Sequence, residues 1–174
     1  MRLFIAIELE EFADYFKELQ QKIPKVKATY PKQFHLTLKF LGDVPDNKLD
    51  ELKEKIKQVK FEHFKLKLGT TGVFPNEKFI RVVWVGLEDG EKITNLQKQI
   101  EFALEGMFKK DNKFHPHITL ARIKFIENDK KEEFTSTIKS IEIEPKEANI
   151  EKFKLIKSTL TGEGPVYEDL EVYG

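Results

Sequence analysis

Two of the chain's four histidines have near-identical surroundings. His35-Leu36-Thr37-Leu38 returns 82 residues later as His117-Ile118-Thr119-Leu120. On an extended strand the side-chain period is two. Each histidine therefore shares a face with the threonine two positions on, ~6–7 Å away, while the leucines and isoleucine between them face the other way. An imidazole beside a hydroxyl, presented twice, suits in-line displacement at phosphorus. One imidazole takes the proton of the attacking oxygen, and the other gives a proton to the departing oxygen on the opposite side. The hydroxyls hydrogen-bond the non-bridging oxygens, where charge accumulates. The alternative is a pair of ordinary half-buried strand histidines. With ten threonines in the chain, two His-x-Thr hits among four histidines arise by chance roughly 2% of the time, and apolar flanks on both lower this to order 10⁻³.

Other candidates follow from position. Lys39 shares the His35 face by strict alternation and is a candidate to steer phosphates, whereas Phe40 falls with Leu36 and Leu38. Arg122 is a candidate phosphate clamp of bidentate type, but alternation places it opposite His117 and Thr119 unless the strand bulges between them. Arg81 interrupts the apolar run Phe79–Trp84, where a charge is costly unless it faces a cleft or lies on an edge strand. Tyr30, Phe34, Phe74 and Tyr167 are candidates to stack a nucleobase, with core packing as the competing role. Trp84 reads as core, and His63 as solvated. His115 and His117 form a His-x-His pair that would also suit a metal. A metal-dependent hydrolase built on His35, His115 and His117 lacks a clustered carboxylate signature.

The elements that must position these groups are legible as periodicities. Four segments place apolar residues three and four apart: 12–23, 49–59, 93–107 and a weaker one around Phe134 and Ile138, the signature of one-sided helices. Asp46 is a plausible N-cap of the second. Strand-like runs fall at roughly 2–8, 34–41, 64–69, 79–87, 117–125, 141–144, 149–158 and 166–172. Turn signals include Gly69, Gly72 and Pro75-Asn76. This order implies an α+β fold with mainly antiparallel pairing, in one domain without a linker.

Composition excludes several classes. Thirty basic residues balance thirty acidic ones, so nucleic acid would have to be held by a local site and not by bulk charge. The chain has no cysteine, which removes disulfides, thiolate metal sites and cysteine nucleophiles. No apolar run approaches the ~20 residues of a membrane span. The opening Met1–Glu10 reads as a first strand and not a secretory signal; a cytoplasmic, monomeric protein without cofactor is expected. Charge carried mostly by Lys and Glu hints at a thermophilic source. No Gly-rich nucleotide loop with a following Lys-Ser/Thr is present.

The paired motifs resemble the 2H phosphoesterase superfamily, in particular the branch of 2′-5′ RNA ligases and RNA 2′,3′-cyclic phosphodiesterases. The resemblance runs from Arg2–Ile7 through Phe34–Gly42, Gly72–Pro75, Arg81–Leu87 and Phe114–Arg122 to Ser158–Leu160 and Gly164–Tyr167. It implies a bilobal fold over residues 1–174, with two antiparallel sheets facing across a cleft lined by the His-x-Thr strands and helices packed outside. It implies two activities. One is opening a terminal 2′,3′-cyclic phosphate of RNA to a 2′-phosphate, with neither metal nor ATP. The other is joining tRNA halves through a 2′-5′ linkage, a ribose 5′-hydroxyl taking the place of water. His117 is then expected as the base on water, His35 as the acid toward the 3′ oxygen, Thr37 and Thr119 as phosphate holders, and Arg122 as the favoured clamp. A module that binds RNA ends without turning them over is the alternative from a different class. It would need the basic and aromatic lining but not both histidines.

Overall fold

The computed structural model describes all 174 residues. Nine strands alternate with four helices: β1 (Arg2–Glu8), α1 (Ala13–Gln21), β2 (Lys27–Thr29), β3 (His35–Asp43), α2 (Leu49–Ile56), β4 (Phe64–Pro75), β5 (Ile80–Leu87), α3 (Glu91–Ala103), β6 (Ile118–Phe125), α4 (Lys131–Lys139), β7 (Glu147–Ile150), β8 (Phe153–Thr161) and β9 (Gly164–Tyr173). Every pairing is antiparallel. The strands follow the order β7-β4-β5-β6-β3-β1-β8-β9, with β2 added on β6. This is the α+β architecture expected. Reading outward from the middle, β6 mirrors β3, β5 mirrors β1, β4 mirrors β8 and β7 mirrors β9. The two halves meet through a single bridge between Leu36 of β3 and Ile118 of β6.

The helices all bury their apolar stripes on one face of this sheet system. Phe16 and Leu19 of α1, Leu52 and Ile56 of α2, Ile93, Leu96 and Ile100 of α3, and Phe134 and Ile138 of α4 join Ile5, Leu36, Leu38, Val83, Val85, Ile118 and Leu120 in one cluster of 37 buried residues. Each stripe repeats at three and four positions because that spacing returns to one side of a helix. On the other face only Phe4, Ala6 and Ile156 form a small cluster, with Tyr167 against it and no helix over it.

Several local expectations change. Residues 141–144 alternate as a strand would but form none; Ile141 and Ile143 pack on the core, and the Glu144 amide donates to the Tyr15 hydroxyl at 2.8 Å. The strand there is Glu147–Ile150, whose Ala148 and Ile150 are buried. The short β2 lacks apolar alternation and forms as an edge strand on β6. Gly69 and Gly72 do not turn the chain; both lie inside β4. At Gly72 a Cβ would meet the Trp84 ring at 2.3 Å, so only glycine lets that indole lie on the strand. Asp46 makes no capping hydrogen bond.

Lys39 is buried on the helix-covered side. Its Nζ donates to Glu101 Oε1 at 2.8 Å and to the Lys109 carbonyl at 3.0 Å, with Asp111 Oδ2 at 3.5 Å. Gln97 Nε2 donates to the same Glu101 oxygen at 2.9 Å. The group ties β3 to the end of α3 and to the segment that leads into His117. Burial pushes the Asp111 carboxyl up, against the pull of the Lys39 ammonium. Removing one member leaves the other charge buried without a partner. Lys39→Met is expected to lose about 3–5 kcal/mol in urea unfolding, and the double variant Lys39→Met/Glu101→Leu to recover most of that. Equal loss in both variants would show that the pair is not the source of the effect.

Candidate active site

Each His-x-Thr strand departs from strict alternation at the same place. In β3, Thr37 lies opposite Ala6 and Lys39 opposite Ile5, which leaves Leu38 as an extra residue. In β6, Thr119 lies opposite Trp84 and Ala121 opposite Val83, which leaves Leu120 extra. These positions are 82 residues apart, like the histidines. One extra residue reverses the faces that follow. Leu38 and Lys39 are therefore both buried, as are Leu120 and Ala121, and Phe40 and Arg122 return to the open face. Directly opposed residues share a face: Phe40 stands with Phe4, and Arg122 with Val82.

This corrects two readings. Lys39 does not share the His35 face; it is buried and paired, as above, and its ammonium is not available to a ligand. Phe40, assigned by alternation to the apolar side, is 66% exposed on the face of His35, its ring 6.2 Å from Phe4. For Arg122 the register shift supplies the bulge that alternation required. Its face is that of Thr119.

The Leu36–Ile118 bridge fixes how the motifs meet. Leu36–Ile118 is the one pair formed and His117 lies one residue before β6; the antiparallel sense of that pair turns His35 toward Thr119 and Thr37 toward His117. In a regular ladder that register makes two residues diagonal neighbours, roughly 7–8 Å apart between backbones, a spacing at which two imidazoles can flank one phosphate; the charge of His117 is felt at the His35 ring. All four side chains are half-buried. Beyond Ile118 the β6 edge is not paired with β3. Gln20 of α1 fills this gap: its Nε2 donates to the Leu120 carbonyl at 3.0 Å and to the Pro31 carbonyl at 2.9 Å.

Aromatic rings hold each imidazole. Around His35, Phe4 lies at 5.0 Å and Tyr167 edge-on at 5.3 Å. Around His117, Phe74 lies edge-on at 4.9 Å. Phe74 also meets Trp84 at 4.9 Å and His115 at 4.9 Å. Trp84 is thus on the open face beside Thr119 and not in the core. Phe34 is core. Tyr30 is exposed one residue beyond β2, and Arg81 is exposed at the start of β5, outside the ring clusters. His63 is exposed as expected. No three His, Cys, Asp or Glu side chains converge as a metal would need, and the exposed His115 ring turns onto Phe74 and Trp84.

His117 Nδ1 lies 2.7 Å from the His115 carbonyl. A carbonyl only accepts, so Nδ1 carries the proton and Nε2 keeps the free lone pair. Burial pushes the His117 ring down; the bond to His115 opposes this, and the His115 and Arg122 charges add to it. His35 is pushed down to about 4, first by burial, then by the Arg122 guanidinium and by His117. Arg122 therefore acts on both rings. It also pulls against burial at Tyr167, whose hydroxyl is pushed up on balance. Without a ligand both imidazoles are neutral at pH 7, beside an uncompensated guanidinium. That arrangement suits an anion, whose arrival would offset Arg122 and let a ring take up a proton.

The LigT-like phosphoesterase family pattern matches residues 6–84 and again 85–167, one match for each His-x-Thr copy. The chain is 36% identical over 175 residues to an RNA 2′,3′-cyclic phosphodiesterase of Methanocaldococcus jannaschii, covering 97% of both chains. It is 32% identical over 182 residues to one of Methanothermobacter thermautotrophicus, covering 99% and 98%. A crystal structure from Thermus thermophilus superposes with a TM-score of 0.79 at 31% identity, covering 99% of this chain and 97% of that one. E. coli LigT complexed with 3′-AMP gives 0.77 at 25%, covering 99% and 96%. The protein belongs to the LigT-like phosphoesterase family of the 2H superfamily. The Lys- and Glu-rich composition fits relatives from several thermophiles.

A half-buried, neutral histidine links pH to stability. The folded His35 pKa of about 4 lies below the unfolded value of 6.5, so the unfolded chain binds the extra proton first. Stability is expected to fall as pH drops from 6.5 to about 4, by up to ~3 kcal/mol. His35→Phe should remove most of that slope in urea titrations at several pH values. An unchanged slope would mean that His35 is not the group responsible.

Proposed function

We propose that the protein is an RNA 2′,3′-cyclic phosphodiesterase that opens a terminal cyclic phosphate to a 2′-phosphate by two-histidine acid–base catalysis, without metal. The observation that carries this is the antiparallel meeting of two His-x-Thr strands around one bridge, which sets two imidazoles and two hydroxyls on one open face. Names borne by the relatives supply the substrate class. No helix is long and apolar enough to cross a membrane; we take the enzyme as cytoplasmic and monomeric. The two family matches favour one bilobal unit with a single shared site.

In this mechanism His117 Nε2, held by the bond from Nδ1 to the His115 carbonyl, takes a proton from water as its oxygen attacks phosphorus. The P–O3′ bond breaks, and His35 gives its proton to the 3′ oxygen. His35 can serve as the acid because phosphate binding offsets Arg122 and draws a proton onto the ring. Thr37 and Thr119 donate to the non-bridging oxygens, and Arg122 holds the same charge. Phe74 and Tyr167 pack against the catalytic rings and border the nucleoside; Tyr30 and Arg81, farther out on the exposed margin, would meet only a longer RNA. A 5′-hydroxyl in place of water gives 2′-5′ ligation, for example of tRNA halves, at the same centre. That reaction requires no ATP.

The decisive experiment incubates the protein with RNA ending in a 2′,3′-cyclic phosphate, in EDTA and without ATP, and identifies the product end. A 2′-phosphate is expected. His35→Ala and His117→Ala should each lower turnover by at least ~10²–10⁴-fold while RNA-end binding survives. Unchanged turnover in both variants would leave only an end-binding module, and loss of activity in EDTA would point to a metal.

The pH profile of kcat/KM should be bell-shaped. Both free-enzyme imidazoles are pushed down, so the maximum should lie below pH 6.5. Arg122 lowers both rings. Arg122→Ala should therefore move the bell to higher pH while raising KM, and a bell that stays in place would refute the coupling.

A further inference from the structure

Beyond the histidines, β6 continues along the open face beside a strip of positive charge. Residues 19–42 contain five lysines and no aspartate or glutamate, in a chain whose charges otherwise balance. Lys39 is buried; Lys22, Lys25, Lys27 and Lys32 are exposed, and none of these four forms an ion pair. β2 brings the strip to the site: Thr29 lies opposite Arg122 and Lys27 opposite Phe125, with Lys124 as the extra residue of a register shift. Opposed residues share a face, as do residues two apart. Thr29 and Lys27 therefore carry Arg122 and Phe125 onto the same face as Thr119, while Ile123 turns inward and is buried.

Phe125 is 61% exposed. It borders a groove of about 480 Å³ at the end of the β2–β6 edge, together with Lys25, Lys27 and Lys130; Glu127 and the α4 residues Glu133, Phe134 and Thr137 wall its far side, toward the helices. An uncovered aromatic ring flanked by unpaired lysines is the combination by which proteins hold single-stranded nucleic acid, the ring stacking a base and the ammonium groups meeting phosphates. The distance fits. From His117 to Phe125 is eight residues of extended chain, about 26 Å, a reach of the order of the ~4 nucleotides at the lower limit of single-strand sites.

We propose that the β2–β6 edge, with Phe125 as stacking platform and Lys25, Lys27 and Lys124 as phosphate contacts, binds the RNA strand 5′ of the cyclic phosphate, so that the enzyme's substrate is a single strand of several nucleotides. This rests on the phosphodiesterase reading for the position of the reacting end. The polarity follows from chemistry: a 2′,3′-cyclic phosphate is the 3′ end, so the rest of the strand leaves the histidines in the 5′ direction. β6 offers it a continuous path past Arg122.

The test compares cyclic-phosphate substrates of one, two, four and eight nucleotides on the native protein and on Phe125→Ala/Lys27→Ala. Both side chains are exposed, so the variant should keep the native unfolding midpoint. In the native protein kcat/KM should rise about tenfold or more from one to eight nucleotides, mainly through KM. The variant should lose most of that gain, leave one-nucleotide turnover within about twofold, and show a shallower salt dependence by ~0.7 in log–log slope per phosphate contact removed. A length-independent kcat/KM in the native protein, or a gain that survives in the variant, overturns the proposal. If no substrate of any length is turned over, the phosphodiesterase reading has failed separately. Binding of a labelled eight-nucleotide RNA with a 3′-hydroxyl then decides: weaker binding to the variant supports the track, and equal binding refutes it. Protein-coated or vesicle competitors that displace this RNA no better than salt of equal ionic strength support RNA as the occupant, and specific displacement by either overturns it.

Discussion

The whole arrangement hangs on one backbone bridge. Leu36 and Ile118 are the only residues at which the two central strands pair, and both are fully buried beneath the helices. Because side chains alternate along a strand, a buried residue at the bridge obliges its neighbours on either side to face outward. Those neighbours are His35, Thr37, His117 and Thr119. The hydrophobic demand at two core positions therefore orients four polar side chains. A one-residue slip at this bridge would bury all four and expose the leucine and isoleucine. Packing and chemistry are thus set by the same contact. Register is protected from the core side by the 37-residue cluster, and the chemical face carries no comparable apolar weight.

The extra residues at Leu38 and Leu120 explain which parts of the site were legible in the sequence. The His-x-Thr pairs lie before the shifts, so alternation places them correctly. Lys39, Phe40 and Arg122 lie after them, and alternation inverts all three. Nothing in Leu38-Lys39 or Leu120-Ala121 announces an inserted residue; both pairs are simply continuous with the strands. Only the repetition at the same offset in the two halves could have suggested it. Helix positions were legible because a one-sided stripe has a single geometric reading. The strand at 141–144 was not, because alternating residues that pack on a core edge look the same whether or not a partner strand is present. β2 was missed for the opposite reason: Lys-Ala-Thr has no apolar signal, and it becomes a strand only because β6 leaves an edge free there.

Electrostatically the site is defined by one unpaired charge. Arg122 has no carboxylate partner, in contrast with Lys39 and Lys154, whose ammonium groups are held by Glu101 and Asp111 and by Glu8 and Asp169. Burial, with an unpaired charge beside them, keeps the two half-buried imidazoles neutral, and that charge makes the face complementary to an anion. A zero net charge is then no obstacle to a polyanionic substrate. Acids and bases cancel over the molecule as a whole, but the guanidinium that acts on both histidines has no carboxylate to cancel it.

The pseudo-symmetry is broken at the positions that flank the two threonines. Applying the 82-residue offset, Arg122 corresponds to Phe40 and Trp84 stands where Ala6 does, each opposite the threonine of its own half. A perfect two-fold site would bind an anion equally well in either orientation. Replacing a cation by a phenyl ring across the axis removes that degeneracy: the charged oxygens are drawn toward the β6 side, while the β3 side offers an apolar surface of Phe4, Phe40 and Tyr167. His35 and His117 differ for the same reason. The rings are equivalent by position, but His117 has a backbone acceptor at 2.7 Å, whereas His35 sits among aromatic rings and has its pKa lowered to about 4. The repeated strand supplies two imidazoles on one face, and their differing neighbours give them different environments.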